Sequence, residues 1–387
     1  MAQEHGVDDL GPLPAFMEPG SGVVPFVTPV GDGMWLVRDH ALGRAVLADQ
    51  RFSRAEATKP HSPRFNDAQP APDAVMSMDG ADHARLRRVV SGAFTTRRVA
   101  AMAPAVERLA DERLDALAAA GPGADLIGLL ATPLPLSVLC SMLGIPAEDG
   151  DVFRDWVEVL FDISASSPRE KSRRRLELVD YMAELVARKR DSDDEDLLTD
   201  LIAAQDQGRL SPGEMLTLGL SLLMAGYETT VGQIGLSVLA LLSDPVVLDD
   251  LRAHPENLDG LVDELLRLTP STPLSFPRVA LEPVRLGTVV VRTGEAVVVS
   301  LLHGNRDAAA WERPEGLCPS GHGAAHLTFG HGVHRCLGAP LARLQLRIVL
   351  ERLLRRFPGL RVATGSDAVV WKEGMSIRGL ARLRVEW

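Results

Sequence analysis

The segment 215–243 places one charged residue, Glu228, in 29 positions. A continuous helix of this length would be about 43 Å long at 1.5 Å per residue. The apolar stretches on either side of Glu228 are each too short to cross a bilayer, and glycines interrupt the surface. In a chain with ordinary charge content, a helix that is apolar all round is buried within a large fold. The segment therefore predicts a long central helix, over residues 212–243, with other helices packed around it.

The composition narrows the class of protein. The chain has 387 residues, of which 46% are apolar and 24% charged, as in proteins with a large core. Its net charge of −11 argues against nucleic acid as a partner. Three cysteines without a paired-cysteine motif, and an N-terminus without the apolar core of a signal peptide, predict a reduced, cytoplasmic protein. The uncharged segment 126–147 contains prolines and predicts a buried helix, so we expect no membrane partner.

Apolar periodicity indicates a mostly α chain with a small β portion. The predicted helices cover residues 40–49, 84–93, 99–119, 133–143, 150–161, 167–190, 197–205, 212–243, 246–252, 258–268 and 340–357. The predicted strands cover residues 34–38, 284–286, 288–292 and 296–301. Residues 1–33, 53–78 and 316–332 are expected to be irregular, the second as a functional loop. We expect a single domain over residues 1–387.

Residues 326–340, around Cys336, hold the highest concentration of side chains that could bind a ligand or take part in catalysis. An isolated cysteine is usually a small buried residue or, with a histidine nearby in space, a nucleophile. Here Gly330, Gly332 and Gly338 remove side-chain bulk on both sides, so a flat ligand could approach the backbone closely. Cys336 also precedes a predicted helix, whose N-terminal dipole favours a thiolate. This setting suits an axial thiolate ligand to haem iron.

The pattern Phe329-Gly330-x-Gly332-x-His334-x-Cys336-x-Gly338 resembles the haem-binding signature of the cytochrome P450 family. Three further matches, in the expected order, extend the resemblance from about residue 83 to the C-terminus. The resemblance implies the P450 fold, with the long central helix over the haem. It also implies haem b as cofactor, Cys336 as the axial ligand, and Phe329, Gly330, His334 and Gly338 as haem contacts.

The second match is Ala225-Gly226-Tyr227-Glu228-Thr229-Thr230, which resembles the family's oxygen-activation sequence. A carboxylate desolvated in mid-helix is a functional candidate, although Glu228 could also be a paired core group. Gly226 weakens the helix locally, and the Thr229 hydroxyl can bond back to a carbonyl and bend it. The resemblance implies that Thr229 hydrogen-bonds dioxygen above the haem, that Glu228 relays protons and that Ala225 contacts the haem.

The remaining matches concern charged residues. Glu264 and Arg267 form an ExxR on a predicted helix, and the resemblance makes them a buried structural ion pair. His83 and Arg87 share a helix face, and with Arg278 and His334 they match the family's propionate anchors.

The chain departs from the family at two positions that commonly carry arginine, which here are Gly316 and Gly321. One of these arginines normally completes the ion-pair network of the ExxR. Arg313 or His322 could substitute, or the segment could be looser.

The resemblance further implies a largely apolar pocket. Its expected lining is Leu222, Leu274, Phe276 and Met375. The implied reaction is haem-thiolate monooxygenation of a small apolar organic substrate, such as hydroxylation or epoxidation of a secondary metabolite. Oxidative carbon–carbon coupling, desaturation and rearrangement are alternatives, and a haem sensor is another, against which the presence of Glu228 and Thr229 argues.

The resemblance also implies redox partners: electrons would come from NAD(P)H through a ferredoxin reductase and a ferredoxin. Arginines concentrated on the cysteine side of the haem are expected to form a basic patch for the acidic ferredoxin. They are Arg85, Arg88, Arg97, Arg98, Arg335, Arg343, Arg347, Arg352, Arg355 and Arg356.

Overall fold

The structure is a computed structural model that describes residues 20–65, 71–146, 149, 156, 168–190, 192, 194, 196–318, 324–373 and 377–387. Its helices, numbered in chain order, are α1 His40–Ala48, α2 Gly80–Ser91, α3 Thr96–Ala101, α4 Ala103–Ala120, α5 Pro133–Leu143, α6 Pro168–Lys189, α7 Leu197–Asp206, α8 Pro212–Ser243, α9 Pro245–Ala253, α10 Leu258–Leu268, α11 Leu301–Gly304 and α12 Ala339–Arg356. Its strands are β1 Val23–Val27, β2 Gly33–Val37, β3 Phe52–Ser53, β4 Ala124–Asp125, β5 Arg278–Ala280, β6 Val284–Leu286, β7 Val289–Val291, β8 Ala296–Val299, β9 Arg361–Val362, β10 Val369–Trp371 and β11 Leu380–Glu386.

The predicted central helix is confirmed as α8, with the predicted bounds. It begins at Pro212 because the Ser211 side chain accepts from the Glu214 amide while the Glu214 side chain accepts from the Ser211 amide. It ends before Asp244, whose side chain caps α9 by accepting from the Val247 amide. Its neighbours in space are α5, α6, α7, α9, α10 and α12.

Most other helices match their predictions within a few residues, and α5 and α10 match exactly at both ends. The single helix predicted over residues 99–119 is wrong, because α3 ends at Ala101 and α4 starts at Ala103. Pro104 causes the break: it lacks an amide hydrogen and is favoured only in the first turn of a helix. The helix predicted over residues 150–161 lies outside the described residues, apart from Trp156.

A five-stranded sheet stands beside the helices, in the order β1-β2-β8-β5-β3, and only the β2–β8 pair is parallel. The expectation that residues 1–33 are irregular is wrong for Val23–Val27, which pair with β2 from Val23↔Val37 to Val27↔Gly33. Pro25 makes this strand difficult to predict from the sequence, because proline is rare in strands. It is tolerated in β1 because β1 is an edge strand, one side of which is unpaired in the sheet. The strands predicted over residues 34–38, 284–286, 288–292 and 296–301 are confirmed as β2 and β6 to β8, but the last one ends at Val299, because α11 begins at Leu301.

A smaller sheet joins β10, β11, β4 and β9, and its β10–β11 connection packs against α8. The contact is closest at Gly232 of α8, where a Cβ atom would lie 2.4 Å from the carbonyl oxygen of Arg378. Glycine is therefore required at this point of the central helix for packing, since any side chain would push the two backbones apart.

No single helix among the described segments has the length and apolar composition needed to cross a membrane. Helices α8 and α9 meet that test only as a pair, bent by 95°.

Candidate functional site

Cys336 lies in a loop whose shape is set by hydrogen bonds and glycines. Its amide donates to the Phe329 carbonyl at 2.7 Å, which closes the loop just before α12 begins. Gly330 and Gly332 have φ angles of +67° and +72°, in the left-handed region that glycine favours. A Cβ atom at Gly332 would also lie 2.7 Å from the Leu47 carbonyl oxygen. These two glycines are thus required by the loop itself, a reason that the sequence pattern did not reveal.

The Cys336 thiol is accessible, although it lies in a desolvated environment. Burial raises its pKa, while the amides of Gly338 and Ala339 and the guanidinium groups of Arg87 and Arg335 lower it. The two amides belong to the start of α12, as the predicted helix-dipole effect requires. A cation bound to the sulfur would complete the stabilisation of a thiolate.

One stripe of the central helix is also open. Leu222, Ala225 and Thr229 recur at helical spacing and are partly accessible or exposed, whereas Tyr227 and Glu228 beside them are buried. The Thr229 hydroxyl donates to the Ala225 carbonyl at 2.7 Å. This is the local bond that the sequence predicted, and it leaves the hydroxyl oxygen able to accept.

Gly226 has a packing role in the structure. A Cβ atom there would lie 2.8 Å from a methyl carbon of Leu139, so the glycine lets α5 approach α8 closely. The predicted weakening of the helix at Gly226 stays a prediction.

Glu228 is 1% exposed, and its carboxylate meets the ammonium group of Lys372 at 2.5 Å. Lys372 lies in the connection between β10 and β11, where its amide donates to the Gly379 carbonyl at 3.0 Å. A Cβ atom at Gly379 would lie 3.3 Å from the Cα of Gly232, so the two glycines bring this connection against α8. Sequence reasoning missed Lys372, because a partner 144 residues away leaves no local signal.

The ExxR residues form the expected buried ion pair. Arg267 is 1% exposed and donates to both oxygens of Glu264, at 2.8 and 2.7 Å. Its guanidinium group lies 4.8 Å from the centre of the Trp311 ring. The remaining donors bind backbone carbonyls, namely those of Asn305, Arg313, Pro314 and Gly316.

These carbonyls anchor the segment that lacks the family's arginine. Arg313, an expected substitute, contributes its carbonyl at 3.3 Å, and its guanidinium group lies beside Gly316, 3.3 Å from where a Cβ atom would be. A cavity of about 20 Å³ remains beside the Glu264–Arg267 pair, room for roughly one water molecule. Gly321 and His322 lie outside the described residues.

The four predicted propionate anchors come from three separate segments. The rings of His83 and His334 lie against each other, with their centres 4.2 Å apart and their planes tilted by 41°. Arg87 donates to the Arg335 carbonyl, which joins α2 to the cysteine loop. Arg278 is buried, and its Nε atom has no hydrogen-bond partner within the described part of the chain.

Both histidines of this group favour the neutral form. Burial and the neighbouring His334 lower the pKa of His83 to about 4. Burial also lowers the pKa of His334, although its Nε2 atom lies 3.5 Å from a carboxylate oxygen of Asp79. Burial tends to raise the pKa of Asp79, but bonds from His334 and Ser53 outweigh it, so the pKa falls well below its usual range. Asp79 was not foreseen from the sequence.

Arg54 is a second residue that the sequence did not indicate. It follows β3, and its side chain is buried next to Arg278. Burial, followed by the charge of Arg278, lowers the pKa of Arg54 to about 9.

The predicted pocket residues have different surroundings. Phe276 is 53% exposed, and Leu222 packs against the main core while remaining partly accessible. Leu274 is buried in a cluster with Leu36 and Val298. Met375 lies outside the described residues. The assignment of these four residues to a substrate pocket stays a prediction.

The predicted basic patch is much reduced by ion pairing. Six of its ten arginines pair with carboxylates: Arg85 with Glu214, Arg98 with Asp200, Arg343 with Asp263, Arg347 with Asp259, Arg352 with Glu107 and Asp111, and Arg356 with Asp115. Acidic residues of neighbouring helices therefore reduce the positive charge of the predicted patch, and its role in docking a ferredoxin stays a prediction. Exposed arginines without an ion pair in the described segments are Arg88, Arg97, Arg335 and Arg355.

The described residues fit a haem. The thiol of the exposed Cys336 would supply a thiolate ligand to the iron, and the open stripe of α8 would offer a partly accessible face to the group. The Nε atom of Arg278, which has no hydrogen-bond partner among the described residues, and the neighbouring rings of His83 and His334 would suit the propionates.

A family model described as Cytochrome P450 matches residues 151–364, more than half of the chain. The chain belongs to the cytochrome P450 family. Members of this family are haem-thiolate oxidoreductases that use NAD(P)H through redox partners, so this P450 is a monooxygenase with a haem cofactor.

Similar proteins cover nearly all of this P450. Nocardicin C N-oxygenase of Nocardia uniformis subsp. tsuyamanensis is 41% identical over 361 residues, which span 93% of this chain and 91% of the relative. Mycinamicin IV hydroxylase/epoxidase of Micromonospora griseorubida is 39% identical over 372 residues, spanning 96% and 93%. The crystal structure of cytochrome P450mel 107F1, with biaryl coupling reactivity, has a TM-score of 0.88 and 35% identity, covering 95% of this chain and 93% of that one. The mostly α fold with a small β portion is thereby confirmed.

Proposed function

We propose that this P450 inserts one oxygen atom into a small apolar organic molecule, by hydroxylation or epoxidation, in the tailoring of a secondary metabolite. The observation that carries the proposal is the accessible, desolvated thiol of Cys336 in a haem-signature loop. The names of the two relatives, an N-oxygenase of nocardicin C and a hydroxylase/epoxidase of mycinamicin IV, support oxygen insertion.

Each residue of the site has a proposed role. Cys336 would supply the thiolate ligand to the iron, and Phe329, Gly330, Gly338 and Ala225 would contact the haem. The propionate anchors are His83, Arg87, Arg278 and His334. When bound, the haem supplies the activation of dioxygen, and the protein supplies the ligand, the protons and the pose of the substrate.

Thr229 and Glu228 are proposed to serve the proton supply. Because the Thr229 hydroxyl donates to the Ala225 carbonyl, its oxygen would accept a hydrogen bond from a proton-bearing group on the open side. Lys372, in the connection between β10 and β11, holds the buried Glu228 carboxylate of α8 in place by their ion pair. Lys372 is thus proposed as a positioning residue for Glu228.

The axial ligand is tested by spectroscopy. Cys336→Ser should abolish the red-shifted Soret band of the ferrous carbon-monoxide complex, because only a thiolate ligand produces that band. Cys318→Ser is the matched control and should retain it. Persistence of the band in Cys336→Ser would refute the assignment.

The proton supply is tested by coupling efficiency. Thr229→Ala should retain haem but divert much of the consumed NADPH into hydrogen peroxide, because a misplaced hydrogen-bonding group fails to deliver protons. Thr230→Ala is a close control: Thr230 makes the same bond to its own helix, to the Gly226 carbonyl at 2.7 Å, but is buried. Equal peroxide yields from both variants would contradict the role of Thr229.

Oxidative coupling is the second candidate reaction, favoured by the similarity to a structure with biaryl coupling reactivity. Isotope-labelled dioxygen separates the two reactions. Oxygen insertion leaves the label in the product, whereas coupling leaves the product unlabelled.

A further inference from the structure

We propose that Arg54 binds a carboxylate, supplied either by a haem propionate or by an acidic group of the substrate. The first source rests on the haem site proposed above. The guanidinium group of Arg54 is buried, yet it forms no ion pair with any carboxylate of the described residues. Buried charges are normally paired, because desolvating an isolated charge is costly.

The hydrogen bonds of Arg54 leave one nitrogen unused. The side chain is 5% exposed, its Nε atom donates to the Met76 carbonyl at 3.0 Å, and its Nη1 atom donates to the Pro277 carbonyl. The Nη2 atom has no partner within the described part of the chain, and it is not sealed from solvent. The two carbonyl groups therefore fix the orientation of the guanidinium group, and its Nη2 atom remains available as a hydrogen-bond donor.

The charges around Arg54 do not balance. Arg278 adds a second buried guanidinium group, while among the described residues Asp79 is the carboxylate that influences both. Asp79 is engaged elsewhere, since its Oδ2 atom accepts from the Ser53 hydroxyl at 2.6 Å and from the Ala55 amide at 2.9 Å. The two histidines beside it, His83 and His334, favour the neutral form. In the described part of the chain, two buried positive charges therefore face one negative charge, so an additional anion would balance the group.

The position of the unused nitrogen favours a carboxylate. The guanidinium carbon lies 4.9 Å from the centre of the Phe276 ring, so the ring covers one face and leaves the edge of the fork free. Phe276 is itself widely exposed, which places the pair at the border of an accessible space. One unused nitrogen suits a single carboxylate oxygen, whereas a phosphate would call for more donors.

The propionate source is tested by the transfer of haem to excess apomyoglobin. Arg54→Met should release haem roughly tenfold faster or more than the unchanged protein, as loss of a charge-assisted hydrogen bond implies. Arg51→Met is the matched control: it removes the same charge three residues away, where Arg51 pairs with Asp49 at the surface. Reconstitution with haem dimethyl ester, which lacks both propionate charges, should abolish the difference between Arg54→Met and the control.

The substrate source is tested by titrating the haem spin-state shift with dodecanoate and with methyl dodecanoate. If Arg54 binds a substrate carboxylate, haem transfer stays unchanged, and Arg54→Met loses roughly tenfold in affinity for the acid but not for the ester. Arg54→Lys retains the charge and should lie between the unchanged protein and Arg54→Met, which separates a charge effect from misfolding. Unchanged haem transfer, together with no acid preference or with an equal preference in Arg54→Met and Arg51→Met, overturns the proposal.

Discussion

At the residue scale, the pairing of Glu228 with Lys372 explains how a carboxylate is tolerated inside an apolar helix. Removing one partner of a buried ion pair is more costly than removing both, because the remaining charge is left desolvated. Lys372→Met should therefore lower the free energy of unfolding by about 3 to 5 kcal/mol, as measured by urea denaturation.

The double variant Lys372→Met/Glu228→Gln is the control for that measurement. It should recover much of the loss, because no buried carboxylate remains to be neutralised. A double variant as unstable as the sum of its two single variants would show that the pair contributes no interaction energy.

His83 gives a prediction for pH dependence at the same scale. Burial and the adjacent His334 lower its pKa to about 4, against a usual value of 6.5. Between these values the unfolded chain binds more protons than the folded haem-free protein, so stability falls as the pH falls. His83→Gln should flatten the dependence by up to about 1.4 kcal/mol per pH unit in this window.

Urea unfolding of the haem-free protein at pH 6.5, 5.5 and 4.5 measures this slope. His254→Gln, which changes an exposed histidine, should leave the slope as it is. The same slope in His83→Gln and in the unchanged protein would contradict the prediction.

At the element scale, the glycines of α8 determine how closely other segments approach it. Gly232→Ala should destabilise the protein by roughly 1 to 3 kcal/mol, because the new methyl group would lie 2.4 Å from the Arg378 backbone oxygen. Gly213→Ala is the control: Gly213 lies in the same helix with nothing within 4 Å of the added carbon, so it should be neutral or slightly stabilising. Thermal unfolding compares the two, and equal melting temperatures would refute the packing argument.

At the scale of the whole molecule, most arginines on the cysteine side form ion pairs, so a docking surface for a ferredoxin must be smaller than the sequence indicates. The contact of Arg87 with the Arg335 carbonyl brings α2 next to the cysteine loop. The 51% exposed Val333 lies in these segments, as do Arg88 and Arg335, which are exposed and form no ion pair with the residues that the structure describes. We infer that an acidic ferredoxin would dock on this surface, where Arg88 and Arg335 supply positive charge and Val333 supplies an apolar contact.

Charge reversal tests this surface. Arg88→Glu should slow reduction by an acidic ferredoxin several-fold at low salt, and the difference should shrink as ionic strength rises towards about 0.1 M, where the Debye length is about 10 Å. Arg347→Glu should have a smaller effect, because Arg347 is already paired with Asp259 at 3.0 Å. Stopped-flow reduction under carbon monoxide measures both, and equal slowing by the two variants would contradict the proposed surface.

The sequence by itself determined the features that rest on local signals. The bounds of α8 follow from Ser211 and Glu214 at its start and Asp244 at its end, all within four residues of the backbone groups they satisfy. The cysteine loop was identified from a signature of residues close together in the sequence, Phe329 to Gly338, whereas the positive φ angles of Gly330 and Gly332 became evident only in the structure.

The tertiary structure alone decided which distant groups meet. The partner of Glu228, the carbonyls that bind Arg267 and the position of Arg54 beside Arg278 all depend on segments brought together by folding. Likewise, residues Val23–Val27 form the strand β1 because they pair with β2, although Pro25 within them disfavours a strand. The hydrogen bonds of a helix and its caps join groups that are a few residues apart, so they can be predicted along the chain. Ion pairs and strand pairing depend on the path of the whole chain, which packing of the core determines.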